Sequence, residues 1–189
     1  GFSGNSSDIC VLNGILYFQG SDATHSKELW KTDGTTAGTV MVKDIYPGNS
    51  GSDAQKMVEM NGMIYFIAKD GAGLGIWKSD GSSSGTILVK DIYSGSGSSI
   101  PNNLTAVGST LYFSANTSSD GIELWKSDGT SSGTVLVKDI KSGSSNSNPE
   151  LFVANGEDLY FFAETSAEGR ELWTSDGTTS GTVLVEDIA

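Results

Sequence analysis

An 18-residue string is repeated four times in this chain of 189 residues, and no other feature restricts the possible folds as strongly. Its copies are ELWKTDGTTAGTVMVKDI, GIWKSDGSSSGTILVKDI, ELWKSDGTSSGTVLVKDI and ELWTSDGTTSGTVLVEDI. Its tryptophans are 47, 48 and 48 residues apart, and a tyrosine in a second, independent motif keeps the same step. A period of this length built from short strands is typical of propeller blades. The markers are Trp30, Trp77, Trp125 and Trp173 together with Tyr17, Tyr65, Tyr112 and Tyr160.

Each repeat divides into four predicted strands and contains no helical period. A short apolar strand such as Asp8–Leu12 is followed by a tight turn, and Asn13-Gly14 is a strong two-residue hairpin signal. The second strand carries the LYF or IYF motif, rich in aromatic and branched residues. The third strand is ELWK and the fourth is TVLVKDI or its equivalent. The sequence therefore predicts an all-β chain.

The second and fourth predicted strands are apolar on both sides, which a strand needs only when its sheet is covered on both faces. Blades packed face to face provide such cover. We therefore predict a propeller-like array of four-stranded antiparallel blades. The predicted blades are residues 1–45, 46–92, 93–140 and 141–189, forming one propeller-like domain or a segment of a longer array.

The repeated SDGTSSGT stretch predicts a self-sufficient turn between the third and fourth strands. An aspartate here can accept hydrogen bonds from N–H groups two or three residues later, and glycine supplies a left-handed position. We interpret these aspartates as turn residues rather than ligands. They are Asp33, Asp80, Asp128 and Asp176.

The string ELWxxDGT followed by GTxxVxDI resembles the family of ELWxxDGT repeat proteins. The resemblance extends over all four repeats, although the second departs from it at Gly75-Ile76 and Ser82. It implies a bacterial protein, secreted or attached to the cell surface, with tandem repeats and a propeller-like β structure. It implies no established enzyme activity, so no catalytic residue is transferred to this chain.

Composition restricts the classes of partner. The net charge of -12 repels phosphate backbones, so nucleic acid is not expected as a partner. No apolar run is long enough for a membrane span. Cys10 is the only cysteine and lies in an apolar run, which favours a buried structural thiol.

No catalytic, cofactor-binding or metal-binding residue is identified. His25 is the only histidine, so a triad or a histidine-rich metal centre cannot form within one chain, and its polar loop favours a solvent-exposed role. No carboxylate breaks the symmetry of the repeat as a glycosidase pair would. Acid-rich turns could supply oxygen ligands for calcium, but no calcium-loop motif is present. The tryptophans could stack on sugars, although their alternation with leucine favours core packing.

These observations predict a non-catalytic extracellular structural or interaction module. The alternative is a lectin-type propeller with one carbohydrate site per blade. Specificity would then lie in the variable loops. The terminal repeats are as apolar as the inner ones, so the expected partners are the chain itself or further repeats of a longer chain, with glycans as the other partner class. Pairing of copies would give homo-oligomers or filaments. The loops are Ser21–Lys27, Lys69–Leu74, Thr117–Gly121 and Glu164–Gly169.

Overall fold

The computed structural model describes residues 8–48, 50–93 and 97–187. These residues form sixteen β-strands and no α-helix. The strands are β1 (Ile9–Leu12), β2 (Ile15–Gly20), β3 (Glu28–Thr32), β4 (Val40–Lys43), β5 (Gln55–Met60), β6 (Met63–Lys69), β7 (Leu74–Ser79), β8 (Ile87–Lys90), β9 (Asn102–Val107), β10 (Thr110–Thr117), β11 (Gly121–Ser127), β12 (Val135–Lys138), β13 (Glu150–Asn155), β14 (Asp158–Thr165), β15 (Gly169–Ser175) and β16 (Val183–Glu186).

Each repeat forms its own sheet of four antiparallel strands in sequential order. The sheets are β1–β4, β5–β8, β9–β12 and β13–β16, called blades 1 to 4 below, and no sheet contains strands from two repeats. The predicted all-β, propeller-like fold is therefore confirmed.

The turn between the first two strands follows the chemistry expected from the sequence. Asn13 and Gly14 have φ angles of 53° and 78°, and Asn61 and Gly62 have 55° and 73°. Positive φ at both central positions produces a tight turn whose twist matches that of the flanking strands. These two hairpins confirm the Asn-Gly prediction in blades 1 and 2.

Blades 1 and 2 form one compact unit, and blades 3 and 4 form a second. In the first unit, one side of blade 1 packs against the opposite side of blade 2. We call these sides the front face, which carries the tyrosine of the LYF motif and the leucine of ELW, and the back face, which carries the phenylalanine and the tryptophan. The core between them contains Leu12, Tyr17, Leu29 and Val42 from blade 1 and Ile64, Phe66, Ala68 and Trp77 from blade 2.

The second unit repeats this packing. The front face of blade 3 contributes Tyr112, Leu124 and Val137, and the back face of blade 4 contributes Leu159, Phe161, Ala163 and Trp173. Leucine and tryptophan of each ELW motif thus point to opposite sides of their blade, as their alternation predicts.

A bulge in the fourth strand broadens the front face. Leu29 pairs with Lys43 but Trp30 pairs with Met41, so Val42 is the extra residue on β4. The same shift occurs in β8, β12 and β16. Because a bulge re-aims side chains, Val42 and Lys43 both reach blade 2: Val42 enters the core and the Lys43 ammonium binds a carbonyl there.

A second bulge, in the first strand, places side chains in left-handed backbone. Lys56, Asn103 and Leu151 occupy equivalent positions and have φ angles of 52°, 57° and 55°. Asparagine adopts this conformation readily, whereas leucine does so at a cost. Leu151 is also 61% exposed, so it contributes little burial in return.

We therefore expect Leu151→Asn to stabilise the protein by about 0.5–1 kcal/mol, since asparagine relieves backbone strain at little loss of buried area. Urea denaturation measures the change. Val153→Asn is the matched control, because Val153 is similarly exposed on the same strand without a positive φ. If both variants were equally destabilised, relief of strain would not be the operative effect.

Candidate functional site

Side chains that recur in every unit meet where the front face of one blade packs on the back face of the next. In the first unit, Tyr17 of blade 1 reaches the Asp80–Ser82 loop of blade 2, which is the equivalent of DGT, and a Cβ atom on Gly81 would lie 2.1 Å from the tyrosine Oη. The Lys31 ammonium donates a hydrogen bond to the carbonyl of the same glycine at 2.8 Å. The glycine at this loop position thus leaves the space that the tyrosine hydroxyl of the preceding blade occupies. We call this space the glycine socket.

The second unit contains the same contact. A Cβ atom on Gly177 of blade 4 would lie 2.5 Å from Oη of Tyr112 and 3.7 Å from Cδ of Lys126, both on blade 3. The contact joins the same three repeat positions in both units. It is therefore a property of the repeat.

A second lysine completes the interface. Lys43 Nζ donates to the carbonyl of Thr86 at 2.7 Å, and Lys138 Nζ donates to that of Thr182 at 2.7 Å. Lys138 also lies 5.6 Å from the centre of the Trp173 ring, within range of a cation–π interaction. Two lysines and one tyrosine of each donor blade therefore fix its neighbour.

The DGT aspartates make the turn that the sequence predicts. Asp33 Oδ1 accepts hydrogen bonds from the N–H and hydroxyl of Thr35 at 2.9 and 2.7 Å, and Thr35 Oγ1 accepts one from the N–H of Gly38. These bonds favour the ionised carboxylate and lower the pKa of Asp33. The same bonds occur at Asp80, Asp128 and Asp176, which confirms their interpretation as turn residues.

The glutamate of ELW has a role that sequence reasoning missed. Glu28 is fully buried, and its carboxylate accepts hydrogen bonds from the N–H groups of Ile45 at 3.0 Å and Ser52 at 2.9 Å. It thereby ties the linker that follows β4 to the third strand of its own blade. Repeat 2 has Gly75 at this position, with the Leu88 side chain in the space that a Cβ would occupy.

Glu123 makes the corresponding contacts in the second unit. It accepts hydrogen bonds from the N–H of Ile140 and of Ser147, both at 2.9 Å, and from the Ser147 hydroxyl at 2.5 Å. Burial raises the pKa of Glu123 to about 7 despite these three bonds, and the nearby Asp139 carboxylate adds repulsion.

This pKa predicts a pH dependence of stability. Because the folded protein holds the Glu123 proton more tightly than the unfolded chain, the contribution is fully present below about pH 4.5 and is lost as pH rises through about 7. We expect a decrease of the order of 3 kcal/mol across this window. Glu123→Gln should abolish that part of the pH dependence in denaturation curves, whereas Glu28→Gln should retain it. An unchanged profile in Glu123→Gln would contradict the assignment.

The tryptophans act mainly as packing residues. Trp77, Trp125 and Trp173 are buried, and Trp30 is partly buried. Among the described residues, none accepts a hydrogen bond from the indole N–H of any of the four. Core packing is therefore confirmed for the three buried rings, which leaves them unavailable as sugar platforms.

The other residues singled out from the sequence do not form a reactive site. His25 bonds through Nδ1 to the Asp22 carboxylate at 3.0 Å, and this hydrogen bond raises the pKa of the imidazole.

Cys10 is partly buried and packs against the first core, so its thiol is less buried than the sequence predicts. Within residues 8–48, 50–93 and 97–187, no group of three or more His, Cys, Asp or Glu is arranged to hold a metal ion. The same residues include no helix suited to crossing a membrane.

On the back face of blade 1 and the front face of blade 4, several residues at the interface positions are exposed. On the back face of blade 1, Gly34 has no heavy atom within 4 Å of its Cβ position, and Thr39 is exposed. On the front face of blade 4, Val185 is 44% exposed, whereas its equivalents Val42 and Val137 are 6% and 3% exposed.

Comparison with solved structures shows that enzymes share this fold. No family model matches the chain. No curated protein matches it either. A puromycin hydrolase variant in complex with PGG has a TM-score of 0.62 at 10% identity over 93% of this chain and 27% of its own. The acylaminoacyl peptidase of Pyrococcus horikoshii has a TM-score of 0.55 at 13% identity over 95% and 27%. An α-L-arabinofuranosidase from Clostridium thermocellum has a TM-score of 0.40 at 19% identity over 93% and 70%.

The chain spans about a quarter of the length of the first two structures, and identities this low show a shared fold alone. They nevertheless correct the conclusion that the chain is a non-catalytic structural module or, alternatively, a lectin. That conclusion took the repeated blade as a sign against catalysis, but hydrolases contain the same arrangement of strands. What is shown is an all-β, propeller-like fold that is shared with enzymes.

Proposed function

We propose that this chain is part of a propeller-type array and that the back face of blade 1 binds a further blade of the same repeat. The observation that carries the proposal is the empty space beside Gly34, where no heavy atom lies within 4 Å of the Cβ position. Its φ of 92° matches the 88° of Gly81, so the loop already has the conformation that receives a tyrosine in blade 2. A binding surface that is formed in advance loses little conformational entropy on binding.

The rest of the face carries the same chemistry. Thr39 corresponds to Thr86, whose carbonyl accepts the Lys43 hydrogen bond, and Trp30 corresponds to the buried Trp77. Leu16 and Thr32 are partly exposed where Ile64 and Ser79 are fully buried. A blade that presents a tyrosine and two lysines would find all of their partners here. Repeat arrays are stabilised largely by such contacts between neighbours.

An extended chain tests the proposal. Residues 93–143, placed directly before Gly1, add one blade and its linker while preserving the 48-residue spacing of the last repeats. We expect the melting temperature to rise by about 5 °C or more, and amide exchange in β2 and β3 to slow, because the added blade covers the face.

The matched control carries alanine at the positions of Tyr112, Lys126 and Lys138 in the added copy alone. It should lose most of the gain, since these side chains make the interface in both units. An added blade that leaves the exchange of β2 and β3 unchanged would refute the proposal. The proposal concerns binding and assigns no reaction to the chain.

A further inference from the structure

The front face of blade 4 differs from the other front faces at the positions that bind a neighbouring blade. Thr174 stands where blades 1 and 3 have Lys31 and Lys126, and Glu186 stands where they have Lys43 and Lys138. The register is unchanged, because Leu172 pairs with Glu186 as Leu29 pairs with Lys43. Both interface lysines are thus replaced without any change in the strands that carry them.

The replacements remove the hydrogen-bond donors that an incoming blade requires. The Thr174 hydroxyl donates to the Leu159 carbonyl of its own blade at 3.3 Å. Glu186 is exposed and can only accept hydrogen bonds when ionised. A regular back face presents a threonine carbonyl at this place, as Thr86 does to Lys43. A carboxylate and a carbonyl, both acceptors, would then be buried together without a donor, which is unfavourable.

A third position varies among the blades, with Gln19 in blade 1, Ile67 in blade 2 and Phe162 in blade 4. In blade 1, Gln19 Nε2 donates to the Ala54 carbonyl of the next linker at 3.2 Å. Its equivalent in blade 4 is Phe162, whose ring lies 4.3 Å from the Arg170 guanidinium. Arg170 Nε in turn donates to Glu150 at 2.7 Å. The apolar part of the face remains, with Tyr160 and Val185 in their usual places.

We infer that the front face of blade 4 selects against a regular blade, including blade 1 of a second copy, and fits a blade with a basic side chain beside its tryptophan. A basic side chain on the incoming blade would pair with Glu186, whereas a regular incoming blade would leave its threonine carbonyl and the Glu186 carboxylate facing each other as two acceptors. The inference rests on the proposed function for the mode of docking. It also separates the two expected partners: further repeats of a longer chain fit the array, whereas head-to-tail stacking of copies is disfavoured.

The test adds a blade at the other end of the chain. Residues 93–140 are joined after Ile188, the equivalent of Ile92, so the added back face carries Trp125 and Leu136. With the natural blade 4, we expect no rise in melting temperature and no slower amide exchange in β15 and β16. With Thr174→Lys/Glu186→Lys, the regular donors return, and a rise of about 5 °C or more is expected.

A third variant tests the basic partner itself. Leu136→Lys in the added copy places an ammonium beside Trp125, since Leu136 and Trp125 are paired across the sheet. In the extended chain with natural Thr174 and Glu186, Leu136→Lys should raise the melting temperature above that of the same chain with Leu136. In the extended chain with Thr174→Lys/Glu186→Lys, Leu136→Lys should give no such increase.

The possible outcomes distinguish the inference from the proposed function. An equal rise with the natural and the lysine-bearing blade 4 overturns the inference. So does the absence of any rise with the lysine pair when the blade added before Gly1 does stabilise the chain. Failure of the blade added before Gly1 counts against the proposed function instead.

Discussion

Gly81→Ala is expected to destabilise the first unit far more than Gly34→Ala, although both glycines occupy the same position of the same loop. Their φ angles are 88° and 92°, so alanine suffers a similar left-handed strain of about 1–2 kcal/mol at each. Only Gly81 has a neighbour, because its Cβ would lie 2.1 Å from Tyr17 Oη. The buried tyrosine ring must move away, and such overpacking costs about 1–3 kcal/mol more.

Chemical denaturation of the two variants measures this difference, since the shared backbone strain cancels in the comparison. Gly81→Ala/Tyr17→Phe should recover part of the loss, because removal of the hydroxyl leaves Cζ as the nearest atom at 3.1 Å. Equal losses at Gly34 and Gly81 would show that Tyr17 does not press on the loop. The coupling between Tyr17 and Gly81 would then be absent from the double-mutant cycle.

Local sequence chemistry accounts for what could be predicted in advance. The Asn13-Gly14 turn, the Asp33 turn and the division into four-stranded blades each depend on residues close together in the sequence. A repeat also displays every such pattern four times, so chance resemblance is improbable. The fold followed from these patterns without any knowledge of contacts between blades.

The site could not be predicted in the same way, because its contacts join different repeats. Tyr17 contacts Gly81 across 64 positions of sequence. The presence of each residue was already explained within its own repeat, because tyrosine favours strands and glycine favours the positive φ of the turn. Periodicity aligns equivalent residues but does not say which non-equivalent positions touch. Two lysines recur in the first three repeats and are replaced by Thr174 and Glu186 in the fourth. This difference between repeats was the available sequence signal for the interface.

The conclusion that the chain is a non-catalytic structural module or a lectin was wrong for a different reason. It inferred the absence of a reaction from the symmetry of the repeat, and symmetry describes the scaffold rather than the sites carried on it. Fold and function are separable in this respect. Secretion, surface attachment and oligomer formation remain predictions from the sequence, and the inferred selectivity of blade 4 opposes only the head-to-tail form of oligomer.

The buried glutamate of ELW shows that contacts distant in sequence also escape prediction within a single blade and its linker. Glu28 looks like an ordinary exposed residue at a strand start, yet the linker folds over it and brings two N–H donors to its carboxylate. A buried carboxylate is tolerated only when hydrogen bonds replace the water it loses. Here the donors are the backbone groups of Ile45 and Ser52, so the linker and the carboxylate each satisfy the other.

Glu28→Ala should therefore destabilise the protein by about 2–4 kcal/mol, because it leaves two buried N–H groups without an acceptor and a small cavity beside them. Amide exchange at Ile45 and Ser52 should accelerate more than exchange in β2, since these two groups lose their partner directly. Glu157→Ala is the control, as Glu157 is exposed, and its effect should stay within about 0.5 kcal/mol. A loss in Glu28→Ala no greater than in Glu157→Ala would mean that the linker is held by other contacts. Glu28→Gln should fall between them, because one amide oxygen can still accept a hydrogen bond while the amide nitrogen faces a donor.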